Sequence, residues 1–218
     1  MMWYYLIEMP LLQLAIDLVD PERAIDIARK VEGYFEIIEV GTPLIKSSGI
    51  NIIKRLREAF PSKVLFADLK IMDAGRIEAE MAYNAGADMV SVCGQAPFET
   101  IKETIEEARR QGKRAMIDLI GAKDMISRAL ELKEVKPDYF CIHTGLDEQR
   151  KGKRPSEFLQ EYRQKVNYPY AIAGGIRPED IPLLMGFSPE IIIVGGYVTK
   201  ALDPVIAAKT LKDAVRRA

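Results

Sequence analysis

Asp68, Lys70 and Asp73 set an ammonium between two carboxylates where an apolar run, Val64-Leu65-Phe66-Ala67, gives out. A short apolar run of this kind reads as a strand covered on both faces. Side chains two apart on a strand share a face, so Asp68 and Lys70 project together while Leu69 points away. Asp73 follows at the turn into the next helix and approaches from another direction. Charges at the end of a buried strand are costly unless they neutralise one another or meet a bound ion or ligand. Their setting is that of a functional site and not of a solvated surface pair.

Other polar groups fall at the ends of similar runs. Asp17, Glu39 and Asp118 each close an apolar stretch, as do Gln95 and His143, the only histidine in the chain. Glu39 and Asp68 end neighbouring strands. Two carboxylates in one wet, negative cup suit Mg²⁺, a hard cation that keeps waters and takes a few carboxylate oxygens. The other use of each acid is to cap a nearby loop or helix. His143 has the one unperturbed pKa suited to proton transfer near neutrality, although a packed or surface imidazole is an equally common fate. Gly174-Gly175 and Gly195-Gly196 end the last two runs, where backbone N–H groups and helix N-termini favour an anion, phosphate above all. A phosphorylated small molecule is the expected substrate.

The strands that must position these residues are read at 12–18, 36–41, 63–70, 89–94, 114–121, 139–145, 168–175 and 190–196. Amphipathic helices are read at 22–32, 47–59, 76–85, 98–111, 124–134, 155–166, 178–185 and 204–216. Pro21, Pro178 and Pro204 stand at helix starts and Gly86 and Gly112 just past helix ends, which is the usual asymmetry of helix punctuation. Eight strand–helix units in 218 residues predict a single-domain α/β protein, a (β/α)₈ TIM barrel over 12–218. An open doubly wound sheet is the rival, but no G-x-G-x-x-G follows the first strand. On a barrel the chemistry belongs at the carboxyl ends of the strands, where the polar groups above collect.

With 48% hydrophobic residues and a net charge of −1, the chain has no general attraction for nucleic acid or an anionic membrane. The opening segment 1–11 is apolar but is interrupted by Glu8 and Pro10, and it lacks a signal-peptide layout; it is expected to pack under the barrel. Cys93 and Cys141, the only cysteines, are expected as buried free thiols in a reducing cytoplasm.

The segments around these residues resemble the orotidine 5′-phosphate decarboxylase suprafamily, whose mark is Asp-x-Lys-x-x-Asp on the third strand. Within it the chain is similar to the 3-hexulose-6-phosphate synthase family from about Leu12 to the C-terminus. Beyond the third strand, the matching stretches are Ala15-Ile16-Asp17-Leu18, residues 37–45 around Glu39, and Asp118-Leu119-Ile120-Gly121. His143-Thr144-Gly145-Leu146-Asp147-Glu148-Gln149, Ala173-Gly174-Gly175-Ile176 and Val194-Gly195-Gly196 complete them. The histidine segment narrows the suprafamily to that family.

The resemblance implies a lyase that joins formaldehyde to D-ribulose 5-phosphate, giving D-arabino-3-hexulose 6-phosphate, and runs the reverse cleavage. It implies Glu39 and Asp68 as Mg²⁺ ligands, His143 as the base at substrate C1, and Lys70 as hydrogen-bond donor to an enediolate, with Asp17 positioning lysine and substrate. Gly174, Gly175, Gly195 and Gly196 would cradle the phosphate. Asp73 would reach into the neighbouring subunit's site of a homodimer, and a 6-phospho-3-hexuloisomerase would be the pathway partner. The nearest alternative is 3-keto-L-gulonate 6-phosphate decarboxylase, a family that usually carries arginine three residues past the histidine; here that residue is Leu146. A non-catalytic sugar-phosphate-binding barrel is the alternative of a different class.

Overall fold

The computed structural model describes residues 9–218. Eight strands close into a barrel in sequence order: β1 Leu11–Ile16, β2 Ile37–Val40, β3 Val64–Ile71, β4 Met89–Cys93, β5 Arg114–Asp118, β6 Tyr139–His143, β7 Tyr170–Ala173 and β8 Ile191–Val194. Each strand lies parallel to its neighbours, and Leu11 of β1 pairs with Ile191 of β8 to complete the ring. The helices are α1 Pro21–Val31, α2 Thr42–Ser48, α3 Asn51–Ala59, α4 Gly75–Asn84, α5 Phe98–Arg110, α6 Met125–Leu132, α7 Leu146–Arg150, α8 Leu159–Lys165, α9 Ile181–Met185, α10 Gly196–Thr199 and α11 Pro204–Arg217. The expected (β/α)₈ architecture is the one that forms.

Strand parity divides the core in two. Residues such as Leu14, Ile38, Leu65, Val90, Ile117, Ile142, Ile172 and Ile192 face the helices and make the larger, outer core. The alternate positions point into the barrel. There Ile37, Phe66, Met89, Met116, Cys141, Ala171 and Ile191 pack together as a second, inner core. Two residues further along, the same inward face carries Glu39, Asp68, Ser91, Asp118 and His143 on β2 to β6. The barrel is therefore apolar at the amino ends of its strands and polar at the carboxyl ends. That gradient is what places a site.

The opposite rim carries a repeated device. Glu36, Asp88, Asp138 and Glu190 each precede an even-numbered strand. Their carboxylates accept the backbone N–H of Leu12, Leu65, Ala115 and Tyr170, at 2.9, 3.0, 2.9 and 2.7 Å. The same four acids donate their own backbone N–H to the carbonyls of the same four residues. Each acid so clips an odd strand to the even strand after it, closing ladder ends that would otherwise leave donors unpaired. Lys212 reinforces Glu36, and Arg57 with Lys113 reinforces Asp88.

Several boundaries differ from the sequence reading. One helix was expected at 47–59, but α2 ends at Gly49, whose φ of +72° and N–H to the Ile45 carbonyl, 2.8 Å away, stop it; α3 starts afresh at Asn51. Two short helices, α7 and α10, fall in stretches read as loop and strand end, because a turn or so of helix carries no readable period. Of the opening segment expected to pack beneath the barrel, residues 1–8 lie outside the described residues, and Leu11 is already β1. Cys93 and Cys141 are both free thiols, as expected; Cys141 is buried, whereas Cys93 at the end of β4 is only partly buried.

Candidate active site

Lys70 owes its position to an irregularity in β3. The pairing with β4 slips between Ala67 and Ile71, and Lys70 takes a left-handed backbone with φ +49°, a conformation unfavourable for a side chain with a Cβ and found where a structure over-determines it. Ser91 on β4 fastens the kink: its hydroxyl accepts the Lys70 N–H at 2.9 Å and lies 2.7 Å from Asp68 Oδ1, to which it donates. The ammonium then reaches Asp68 Oδ1 and Oδ2 at 2.9 and 2.7 Å and Asp118 Oδ2 at 2.8 Å. Burial alone would lower the lysine pKa; Asp118 and Asp68 outweigh it and hold the pKa far above the ordinary value. Lys70 is therefore a fixed cation in this site.

Asp118 joins that cation to the histidine. His143 Nδ1 lies 2.9 Å from Asp118 Oδ2 and 3.2 Å from Oδ1. With Nδ1–H donating there, Nε2 is the ring nitrogen left to accept a proton. Burial pushes the Asp118 carboxyl up, but His143 and Lys70 together pull it well below the usual carboxylate range. Burial lowers the His143 pKa while Asp118 raises it further, so the net direction is upward.

The other side of the mouth holds more acid than base. Glu39 is 5% exposed, and its Oε2 accepts the Gln13 side-chain N–H at 2.6 Å. Its pKa stands well above the ordinary value, first from burial and then from the charges of Asp68 and Asp17. Asp17, on the rim, is raised by partial dehydration and then by Asp68. Gly41 makes room for it, since a Cβ there would stand 2.3 Å from Asp17 Oδ1. The Thr42 hydroxyl lies 2.6 Å from the Asp68 carbonyl oxygen and 2.9 Å from Asp68 Oδ2, within reach of either acceptor. Asp17, Glu39, Asp68 and Asp118 outnumber the cations set among them, the Lys70 ammonium and the His143 imidazole, with Lys200 acting on Asp17. Carboxylates crowded with too little positive charge are the donor set of a hard divalent cation, so Glu39 and Asp68 fit the expected Mg²⁺. A further donor group, Asp118, Cys141 and His143, has ligand atoms within 4.8 Å of one another. Its Asp118 is already engaged by Lys70 and His143, and the buried Cys141 thiol is held protonated by dehydration.

The glycine pairs lie across the mouth. Gly174 has φ +119°, and a Cβ there would meet the Thr144 carbonyl oxygen at 2.5 Å, so only glycine fits. The neighbouring Thr144 hydroxyl is buried and has no hydrogen-bond partner among the described residues. Gly175 stands under Gln149 and Arg154, and Gly195 beside Ala15 and Asp17. Asp73 lies outside this assembly. It is exposed beyond β3 and accepts the Ala74 N–H at 2.8 Å, with Met72, Ile77 and Met81 exposed on the same stretch.

Sequence reasoning collected Asp118 among the strand ends without giving it a role, and it did not see Gln13, Thr42 or Ser91 as part of the site. Gln13 and Ser91 are lone polar residues inside apolar strands, at inward parity, and that pattern is the signal. Gln95, also collected, is exposed on the rim.

The model of the orotidine 5′-phosphate decarboxylase / HUMPS family matches residues 10–211. The 3-hexulose-6-phosphate synthase of Bacillus subtilis is 42% identical over 205 residues, covering 94% of this chain and 98% of the relative. The crystal structure of 3-hexulose-6-phosphate synthase from Salmonella typhimurium superposes with a TM-score of 0.91 at 35% identity, covering 95% of this chain and 99% of that one. That of 3-keto-L-gulonate-6-phosphate decarboxylase from Vibrio cholerae gives a TM-score of 0.85 at 29% identity, covering 96% and 98%.

Proposed function

The chain belongs to the orotidine 5′-phosphate decarboxylase / HUMPS family, and from that premise we propose that it is a 3-hexulose-6-phosphate synthase. It adds formaldehyde to D-ribulose 5-phosphate, giving D-arabino-3-hexulose 6-phosphate, and catalyses the reverse cleavage. The observation that carries this reading is the carboxylate of Asp118 holding His143 by Nδ1 beside the Lys70 ammonium. The names borne by the Bacillus subtilis and Salmonella typhimurium relatives support it.

The chemistry follows from what each side chain can do. His143 Nε2 takes the proton from substrate C1, and the electron pair left behind spreads onto the C2 oxygen as an enediolate. Lys70 donates hydrogen bonds to that developing charge, held in place by Asp68 and Asp118 and positioned with Asp17. C1 then bonds to the formaldehyde carbon, the aldehyde oxygen becomes an alkoxide, and the His143 imidazolium returns the proton to it. Glu39 and Asp68 would hold Mg²⁺, which when bound supplies positive charge to the oxygens of the deprotonated ketose. Gly174, Gly175, Gly195 and Gly196 hold the phosphate.

The protein works as a homodimer in the cytoplasm, with Asp73 completing its neighbour's site; the exposed Met72, Ile77 and Met81 beside it supply an apolar contact. A 6-phospho-3-hexuloisomerase consumes the product. The decarboxylase reading is disfavoured by Leu146, which is 67% exposed at the start of α7 and offers no charge to handle water or protonate an intermediate.

The test is hexulose phosphate formation from D-ribulose 5-phosphate and formaldehyde, with and without a chelator, beside CO₂ release from 3-keto-L-gulonate 6-phosphate. Magnesium-dependent formation of the hexulose phosphate is expected. Faster decarboxylation than aldol addition would reverse the assignment.

A further inference from the structure

Each glycine pair at the mouth has a cation beside it, and neither cation is spoken for. Arg154, in the segment after α7, crosses to β7's end, where its Nη1 lies 3.2 Å from the Gly175 carbonyl oxygen. Lys200, just past α10, runs alongside Gly196, its Cδ and Cε 3.7 and 3.9 Å from where a Cβ on that glycine would stand. Both side chains are exposed.

The neighbouring basic residues are used differently. Arg150 pairs with Asp147 at 3.2 Å, Lys153 with Glu148 at 2.8 Å, and Arg177 with Glu179 at 4.0 Å. Among the described residues no carboxylate forms an ion pair with the side chain of Arg154 or Lys200; Glu157 accepts the Arg154 backbone N–H at 2.8 Å. Lys200 is also near enough to Asp17 for its charge to act on that carboxylate. The buried Thr144 hydroxyl beside Gly174 adds a polar group that has no hydrogen-bond partner among the described residues.

Glycine amides alone give a phosphate dianion hydrogen bonds but no net charge. An arginine and a lysine on opposite sides supply it, the first with a planar fork that can grip two oxygens while still bonded to a carbonyl, the second as a mobile point charge. We propose that Arg154 and Lys200 are the cationic arms of the phosphate subsite, one over each glycine pair; this deepens, and rests on, the reading of the substrate as a sugar phosphate. Arg154 thereby also ties the segment that follows His143 to the occupied subsite.

The experiment measures Kd for inorganic phosphate and for D-ribulose 5-phosphate by calorimetry, together with kcat and KM, in the parent, Arg154→Gln, Lys200→Gln and Lys200→Arg. Each glutamine variant is expected to weaken both ligands about ten-fold, carried by KM more than by kcat. The preference for D-ribulose 5-phosphate over unphosphorylated D-ribulose as a competitor should shrink by the same factor, which a merely structural role would not cause. Lys200→Arg should recover most of the loss. Parent-like affinity for both ligands in the two glutamine variants would overturn the subsite while leaving the proposed activity intact. Phosphate binding that weakens as expected, in a protein that makes no hexulose phosphate, would keep the subsite and sink the activity.

Discussion

Asp118 Oδ2 lies 2.9 Å from His143 Nδ1, so one buried carboxylate sets the tautomer of the only imidazole in the chain. The same oxygen takes the Lys70 ammonium at 2.8 Å, which ties the proton-transfer group and the fixed cation to a single anchor. Replacing Asp118 by asparagine keeps the shape but allows the ring to turn its Nδ1 lone pair to the new amide, leaving Nε2 protonated. A loss of about 10²–10⁴ in kcat is expected, by the same physics that operates in serine-protease triads. Steady-state kinetics check it, and the pH profile separates it from simple misfolding. With Asp118 present the imidazole pKa is raised, so kcat/KM should climb as pH rises through that raised value; Asp118→Asn should move the inflection toward lower pH. A change in amplitude with no movement of the inflection would contradict the anchoring role.

His143→Ala removes the base and leaves Lys70 and the glycine pairs in place. Exchange of the substrate C1 proton with solvent, followed by NMR in deuterated buffer, should fall by about 10²–10⁴. Binding of D-ribulose 5-phosphate should survive within a few-fold. Normal exchange in this variant would place the base elsewhere.

Glu39→Gln tests the cation. In the chelated parent, Glu39 and Asp17 both have raised folded-state pKa values, so the folded protein holds their protons more tightly than the unfolded chain. Linkage then makes stability fall as pH rises from the ordinary carboxylate range through those raised values. Melting temperatures of chelated protein should decline over that window, and the glutamine should flatten the decline while activity is lost. Added Mg²⁺ at about 100 times its dissociation constant should stabilise the parent by about 2.7 kcal/mol and the variant much less. Equal stabilisation of both would remove Glu39 from the ligand set.

At the far rim, Asp88→Asn weakens the acceptor for the Leu65 N–H and leaves Arg57 and Lys113 without their counter-charge. Dehydration raises the Asp88 pKa, but Lys113, the Leu65 N–H and Arg57 lower it by more. Its stabilisation is therefore present above the unfolded value and fades as pH falls through the folded one. Because the carboxylate is partly open to solvent, a cost of about 1–2 kcal/mol is expected near neutrality. Urea unfolding at pH 7 and at pH 3 should show parent and variant converging at the lower pH, with catalysis hardly affected throughout.

The architecture was open to reading because it rests on two periods and a count. Apolar stretches such as Ile191 to Val194 read as buried strands, and Pro204 announced the last helix, where the Asp203 carboxylate accepts two backbone N–H groups. The convergence of Asp17, Glu39, Asp68, Lys70 and His143 was legible for the same reason, since the fold brings strand ends together whatever their identity. What stayed hidden depended on distance and not on order. Nothing in a linear string says that Asp118 lies between Lys70 and His143, or that Ser91 pins a backbone kink at Lys70. The left-handed conformation at Lys70 was unreadable because lysine carries no local signal for it; tertiary contacts impose it.

The rim clips also bear on how the chain finds its shape. They join residues 24, 23, 23 and 20 positions apart, so four ring closures of nearly equal length can form without waiting for one another. The seam that joins Leu11 to Ile191 spans about 180 residues, three doublings more, and its closure costs about 2 kcal/mol more in chain entropy. Neighbouring parallel pairs, each joined by its own helical crossover, are the local events of such a topology, and the gap between the first strand and the eighth is its most distant closure.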